Sequence, residues 1–149
     1  MVLKVPRAKC NKPLSPAVGF SALKNNIVDS NSAFGSNAAS ENTEGQGIAA
    51  FGDTALRDNT TGSFNSAFGA SALQTNTSGS YQAAFGYQAL QSAVTDSAQN
   101  SAFGALALRS VLLGTDNVGV GYQSMAAVDT GIQNTGVGTF SMYNLTTGE

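Results

Sequence analysis

The sequence predicts an all-β repeat solenoid, a parallel β-roll of about eight stacked coils of 17 residues each. Three observations predict it. The triplet Ala-(Phe/Val)-Gly, or Gly-Val-Gly, returns through almost the whole chain; a second apolar residue keeps constant phase with it; and an Asn/Thr-rich stretch with glycine closes most units. A short fixed period marks architectures in which one unit cannot bury its apolar side chains alone and stacked neighbours create the core.

The residue before the triplet's glycine serves as the anchor of each unit: Val18, Phe34, Phe51, Phe68, Phe85, Phe103, Val120 and Val137, at successive spacings of 16, 17, 17, 17, 18, 17 and 17. These eight are expected to form one buried column. Five residues further on stand Leu23, Leu56, Leu73, Leu90, Leu108, Met125 and Met142, a second core column broken only by Ala39. The residue before each of these is always Ala or Ser, and the residue before each anchor always Ala or Gly, so small side chains sit where space is short. Eleven residues after the anchor comes a glycine in six units, inside stretches such as DNTTGS and TNTSGS, which read as polar turns using Gly or Asn for positive φ. Each unit is then a short strand, a segment carrying Ala-Leu, and a turn. With strands about 4.8 Å apart, seven intervals make a rod of roughly 34 Å.

Two units depart from the period. Between Phe85 and Phe103 one extra residue accompanies TDSAQN, expected as an outward bulged loop, and the unit from Val18 to Phe34 is one residue short, expected as an irregular first coil. Residues 1–16 carry Pro6, Pro13 and Pro16 and are expected to be extended, giving a boundary between an N-terminal arm (1–16) and a solenoid (17–149). The chain stops at NLTTGE, where the equivalent stretches earlier lead into another coil, so the solenoid is expected to continue beyond Glu149.

Composition excludes several classes. Charged residues are 11%, against about 25% in ordinary globular domains, while hydrophobic residues reach 42% and the net charge is only −2. Disordered chains pair low hydrophobicity with high charge, so this chain is expected to bury a core. Lys4, Arg7, Lys9 and Lys12 are four of the seven basic residues and precede every acidic one. A short basic arm without interleaved aromatics, leading into an acidic body, is not a nucleic-acid domain and reads instead as an attachment segment. No apolar run reaches membrane-spanning length, and the leader lacks the apolar stretch of a secretory signal, which points to a product made in the cytoplasm with no membrane insertion.

Nor does the sequence assemble catalytic chemistry. There is no histidine, Cys10 stands alone, and the nine acidic residues fall at unrelated repeat phases, with Asp53, Asp58, Asp116 and Asp129 at four different offsets from their anchors. Calcium-binding rolls repeat Asp and Gly at fixed offsets, and cysteine-based zinc sites need more thiolates than one, so no enzyme activity, metal or cofactor is expected. Asn59-Thr60-Thr61, Asn76-Thr77-Ser78 and Asn144-Leu145-Thr146 have the letters of glycosylation acceptors but read as turn residues in repeat phase. Thr does not recur at one phase, which argues against a flat ice-binding face.

Units such as NSAFGASALQTNTSGSY and QAAFGYQALQSAV resemble the N-T-A-[IFV]-G-Y-x-A-L-x-x-N-T-T-G-x repeats of phage tail fibres and of bacterial surface proteins of related build, over about residues 17–149. More loosely they are similar to the shorter head repeats of trimeric autotransporter adhesins. The resemblance implies left-handed coils and a side-by-side homotrimer, with the small Ala/Gly/Ser positions in close contact between chains. For function it implies a structural virion protein: the proximal part of a bacteriophage tail fibre, docked on a tail or baseplate protein through residues 1–16, with contact to a host surface glycan further along. A bacterial adhesin head and a capsid-decorating trimer are the alternatives it leaves open.

Overall fold

The computed structural model describes residues 15–93 and 98–145, and in them every strand pairing is parallel. The described residues form twelve short strands: β1 (Ala17–Val18), β2 (Ser32–Phe34), β3 (Ala49–Phe51), β4 (Ser66–Phe68), β5 (Ala83–Phe85), β6 (Ser92–Ala93), β7 (Ser101–Phe103), β8 (Ser110–Val111), β9 (Val118–Val120), β10 (Ala127–Val128), β11 (Thr135–Val137) and β12 (Asn144–Leu145). One strand from each coil enters an eight-stranded sheet in the order β1-β2-β3-β4-β5-β7-β9-β11, while β6, β8, β10 and β12 form a second, four-stranded sheet. Anchors pair with anchors throughout, Val18 with Phe34, Phe34 with Phe51, and so on to Val120 with Val137. The chain is a β-solenoid of about seven turns.

The interior is narrow. Leu23, Leu56, Leu73, Leu90, Leu108 and Met125 are fully buried and form its bulky column, whereas Met142, in the last coil, is exposed. Facing them is the residue before the anchor, Ala33, Ala50, Ala67, Ala84 and Ala102, also fully buried. Where that residue is glycine, an added Cβ at Gly119 would stand 3.0 Å from Leu108 Cγ, and one at Gly136 would stand 2.7 Å from Met125 Cγ. A typical coil therefore holds one Leu against one methyl group, with Ala39 in place of Leu in the second coil. Nothing as large as Phe fits opposite, and because side chains alternate across a strand, an inward Ala sends the next residue outward. The expectation that Val18, Phe34, Phe51, Phe68, Phe85, Phe103, Val120 and Val137 form a buried column is thus corrected: they do form one column, but on the outer face, with Phe34 and Phe85 each 37% exposed and Phe103 42%. The small residues before the Leu column, from Ala22 to Ser124, are likewise buried within the chain's own coils and are not open to contact with another chain.

The Ala-Leu segment turns the chain by alternating backbone handedness. Residues three and five beyond each anchor have positive φ, as at Thr54 (55°) and Leu56 (51°), and Ser71 (58°) and Leu73 (51°). Amides at these positions bond to neighbouring coils, Thr54 N–H to Ser36 O (2.8 Å) on one side and Leu56 N–H to Ala72 O (2.9 Å) on the other. Intervening amides close short turns within the coil, as Ala55 N–H does to Gly52 O (3.3 Å). A left-handed non-glycine residue is unfavourable by roughly 1–2 kcal/mol, so inter-coil bonds and, except at exposed Met142, burial must hold the Leu, Ala or Met of each unit in that state.

Polar turns proved to be half interior. Eight residues after the anchor, Asn26, Asn42, Asn59 and Asn76 are buried and linked coil to coil: Asn42 Nδ2 donates to Asn26 Oδ1 (2.7 Å), Asn59 Nδ2 to Asn42 Oδ1 (2.8 Å) and Asn76 Nδ2 to Asn59 Oδ1 (2.9 Å). Each also donates to a carbonyl of its own turn, as Asn59 does to Gly62 O (3.0 Å). A second column stands three residues before the anchor. There Asn31, Asn65, Asn100 and Asn117 accept the backbone N–H one coil on, as Asn65 Oδ1 does from Gln82 (3.0 Å), and donate to a glycine carbonyl, as Asn65 does to Gly79 O (2.7 Å). Those glycines are not there for positive φ, contrary to expectation. A Cβ on Gly62 would lie 2.3 Å from Gly79 O and 2.5 Å from Asn59 Oδ1, so Gly leaves the room in which the asparagines reach the backbone.

After the fifth anchor the scheme changes. The position eight residues on becomes Ala93, Val111, Val128 and Leu145, which lie in the second sheet. Gln82, replacing Asn in the other column, extends Nε2 to Asn76 Oδ1 (2.8 Å) and so terminates the first asparagine column. The unit from Val18 proved regular rather than irregular, since its missing residue falls only in the turn Ile27–Ser30 and Asn26 donates to Val28 O (2.6 Å) there. Half of the expected bulge, residues 95–97, lies outside the described residues, as do residues 1–14; Ser15 and Pro16 belong to the first coil, where Ala33 N–H donates to Pro16 O (3.0 Å).

Two stability outcomes are expected from urea unfolding. Leu73→Met, which keeps volume and copies Met125, should cost under about 1.5 kcal/mol, whereas isosteric Leu73→Ile, β-branched at positive φ, should cost at least 2 kcal/mol more, roughly. Asn59→Leu, which leaves buried amide and carbonyl partners unpaired, should cost roughly 3 kcal/mol or more.

Candidate functional site

The feature that a folded single chain does not use up is the outer face of the eight-stranded sheet. Strand register fixes the anchors one above another, and the backbone pitch sets their side-chain spacing. Ring centroids lie 4.7 Å apart for Phe34–Phe51, 4.7 Å for Phe51–Phe68, 4.9 Å for Phe68–Phe85 and 5.1 Å for Phe85–Phe103, with interplanar angles of 13°, 5°, 4° and 7°. Five phenylalanine rings thus stack in parallel as a continuous ladder, extended by Val18 at one end and by Val120 and Val137 at the other. Stacking covers the faces of the rings and leaves their outer edges in solvent.

Flanking the ladder on the same face, two residues before the anchors from Phe34 on, are Ser32, Ala49, Ser66, Ala83, Ser101, Val118 and Thr135. All are small, and no charged residue occurs in either column. The charges stand elsewhere on the coil. Arg57 forms a bidentate pair with Asp58, Nε to Oδ1 at 2.6 Å and Nη2 to Oδ2 at 2.7 Å, and Asn25 donates to Glu41 at 2.7 Å. The hydrogen bond to Asp58, with smaller attraction from Glu41, holds the Arg57 guanidinium above its ordinary pKa, so it stays charged at any working pH. Both partners are partly exposed, and such a pair adds little stability.

Five other surface aromatics form two smaller groups. Phe64 and Tyr81 stack at 5.2 Å, the Phe64 ring lying over Gly47, and Phe140 meets Tyr122 and Tyr143 edge-on at 5.6 and 5.8 Å. Among the described residues no group of three or more Asp, Glu, Cys or His converges as a metal site. Two shallow grooves of about 310 Å³ cross the second sheet, one lined by Arg109 and Tyr143 and the other by Asp129, so neither sets an acid beside a base. Lys4, Arg7, Lys9 and Lys12, the expected attachment residues, lie outside the described residues. Comparison with protein families, with characterised proteins and with solved structures gives no match to this chain. The ladder is therefore identified by its geometry alone, and the signal for it was present in the sequence as the recurring Phe.

Because the ladder faces outward, truncating one rung should be mild for the fold. Phe68→Ala is expected to cost about 1 kcal/mol in urea unfolding at concentrations where the chain is monomeric, against about 2–5 kcal/mol for Leu73→Ala in the closed interior.

Proposed function

We infer that this chain is a non-enzymatic structural protein of a virion, the proximal part of a bacteriophage tail fibre. In this reading the N-terminal arm ahead of the first coil anchors it to the tail or baseplate, and the solenoid projects as a rigid homotrimeric shaft towards a host surface, with any glycan recognised further along the fibre. The observation that carries the reading is the unbroken, in-register ladder from Ala17 to Val137, with backbone and asparagine hydrogen bonds crossing from coil to coil. Such stacking supplies stiffness along one axis, and repeats extend reach without new chemistry. The likeness of its repeats to those of tail fibres supplies the biological setting.

A second reading, a bacterial adhesin head or a capsid-decorating trimer, draws on the exposed aromatics of the Phe64–Tyr81 pair and of the cluster around Phe140, side chains on which sugar faces can stack. Immunogold labelling of the native particle or cell separates the two. Label at the tail of a virion is the expected outcome; label on a capsid shell or a bacterial envelope selects the second reading. Light scattering of the purified chain should give about three times 15.1 kDa, and a stable monomer would sink the shaft in either setting.

A further inference from the structure

We propose that the phenylalanine ladder is the contact surface between copies of this chain, packing against the same face of a second copy in parallel, coil beside equivalent coil. The proposal rests on the shaft reading and adds to it the face, the orientation and the register.

The first support is area. A Phe side chain presents about 200 Å², and Phe34, Phe85 and Phe103 keep 37%, 37% and 42% exposed, Val18 53% and Val137 68%. The ladder thus presents apolar surface on the order of 600 Å², at the upper end of the 300–600 Å² of the largest patch on a typical monomer and near the ~800 Å² per partner of a standard interface once the flanking column is added. Charge is the second support. None of the described Lys, Arg, Asp or Glu residues lies in the anchor column or in the column two residues before it, and interface centres are depleted of charge in this way.

Pitch selects the occupant. The rings repeat every 4.7–5.1 Å along the rod, and a partner must repeat at the same interval to meet every rung. A second copy does so along the whole ladder, and the small residues Ser66 and Ala83 beside the rings leave space for the rings opposite. Order along the ladder selects parallel register. Side by side, five Phe meet five Phe and each Val meets Val. An antiparallel copy would set Phe34 against Val120, and a shift of one coil would leave an end rung in water. Identical chains joined in parallel about a common axis close into a cyclic oligomer, whereas an open arrangement would keep exposing the face.

The test uses the full chain with Cys10→Ser as background. Ser66→Cys, beside the ladder, and Thr75→Cys, on the exposed opposite side, are oxidised separately at low micromolar concentration, and Ser66→Cys is also mixed with Ala83→Cys. The expected result is disulfide-linked dimer at position 66 in at least tenfold higher yield than at position 75, with 66–66 links favoured over 66–83 links in the mixture. Phe68→Glu should lower the native mass to 15.1 kDa while the β-sheet circular dichroism is kept. Oligomers that link through position 75 and not 66 would overturn the proposal while leaving the shaft reading intact. Preferential 66–83 links would overturn the register and so the proposal. A wild-type chain that is monomeric would overturn both, leaving the ladder to some other partner.

Discussion

The width of the coil interior is the constraint on which the rest depends. Six of the turns enclose one Leu or Met facing one methyl group or a bare Cα, and the near-contacts that a Cβ on Gly119 or Gly136 would make with Leu108 and Met125 measure how little is left over. From that follow the Ala before the anchor, the outward turn of the anchor itself, and the glycine after it. Gly52 has a φ of +143°, and a Cβ there would come within 2.5 Å of Gly69 O in the next coil. A thin core yields little hydrophobic stabilisation per turn, so hydrogen bonds between coils carry a larger share of cohesion than in a globular domain.

The asparagine columns show how a thin core is made specific. A buried amide has two donors and a carbonyl to satisfy, and here both are matched at intervals of 14 and 17 residues, as Asn117 does with Gly131 O and the N–H of Asn134. Any slip in stacking would strand these groups inside. When the chain abandons one column after Asn76, it does so in a coordinated way, with Gln82 reaching over to the last open acceptor and Val111 and Val128 replacing amides by a second strand. The rod thus has two internal chemistries, polar in its first half and more apolar in its second, on one continuous outer sheet.

Much of this was legible in the sequence, and the failures have physical causes. The period, the parallel stacking and the Leu column follow from residue phase alone. The anchor's orientation did not, because in a three-residue strand such as Ser66–Phe68 alternation permits either Ala67 or Phe68 to point inward. The usual preference for burying the larger side chain chose wrongly; only the closure of the coil decides. Asn59 and Asn76 looked like turn residues because local sequence shows polarity, while their partners lie a full coil away. Left-handed Leu56 and Leu73 had no local signal, since nothing in Ala-Leu predicts positive φ. The ladder could have been found by asking whether a 17-residue loop can enclose both Phe and Leu.

Burial of Asn59 and Asn76 bears on where such a chain can be made. Both head acceptor triplets for N-linked sugar, Asn59-Thr60-Thr61 and Asn76-Thr77-Ser78, and both are fully enclosed once the coils stack. Sugar transfer in a eukaryotic secretory pathway reaches chains before they fold. A glycan placed on either amide would consume a donor that the column needs and has no room inside the turn, so the modified coil could not close. The same two residues that align the rod would make that route of synthesis a barrier to folding, whereas a compartment without the transferase leaves the amides free to pair.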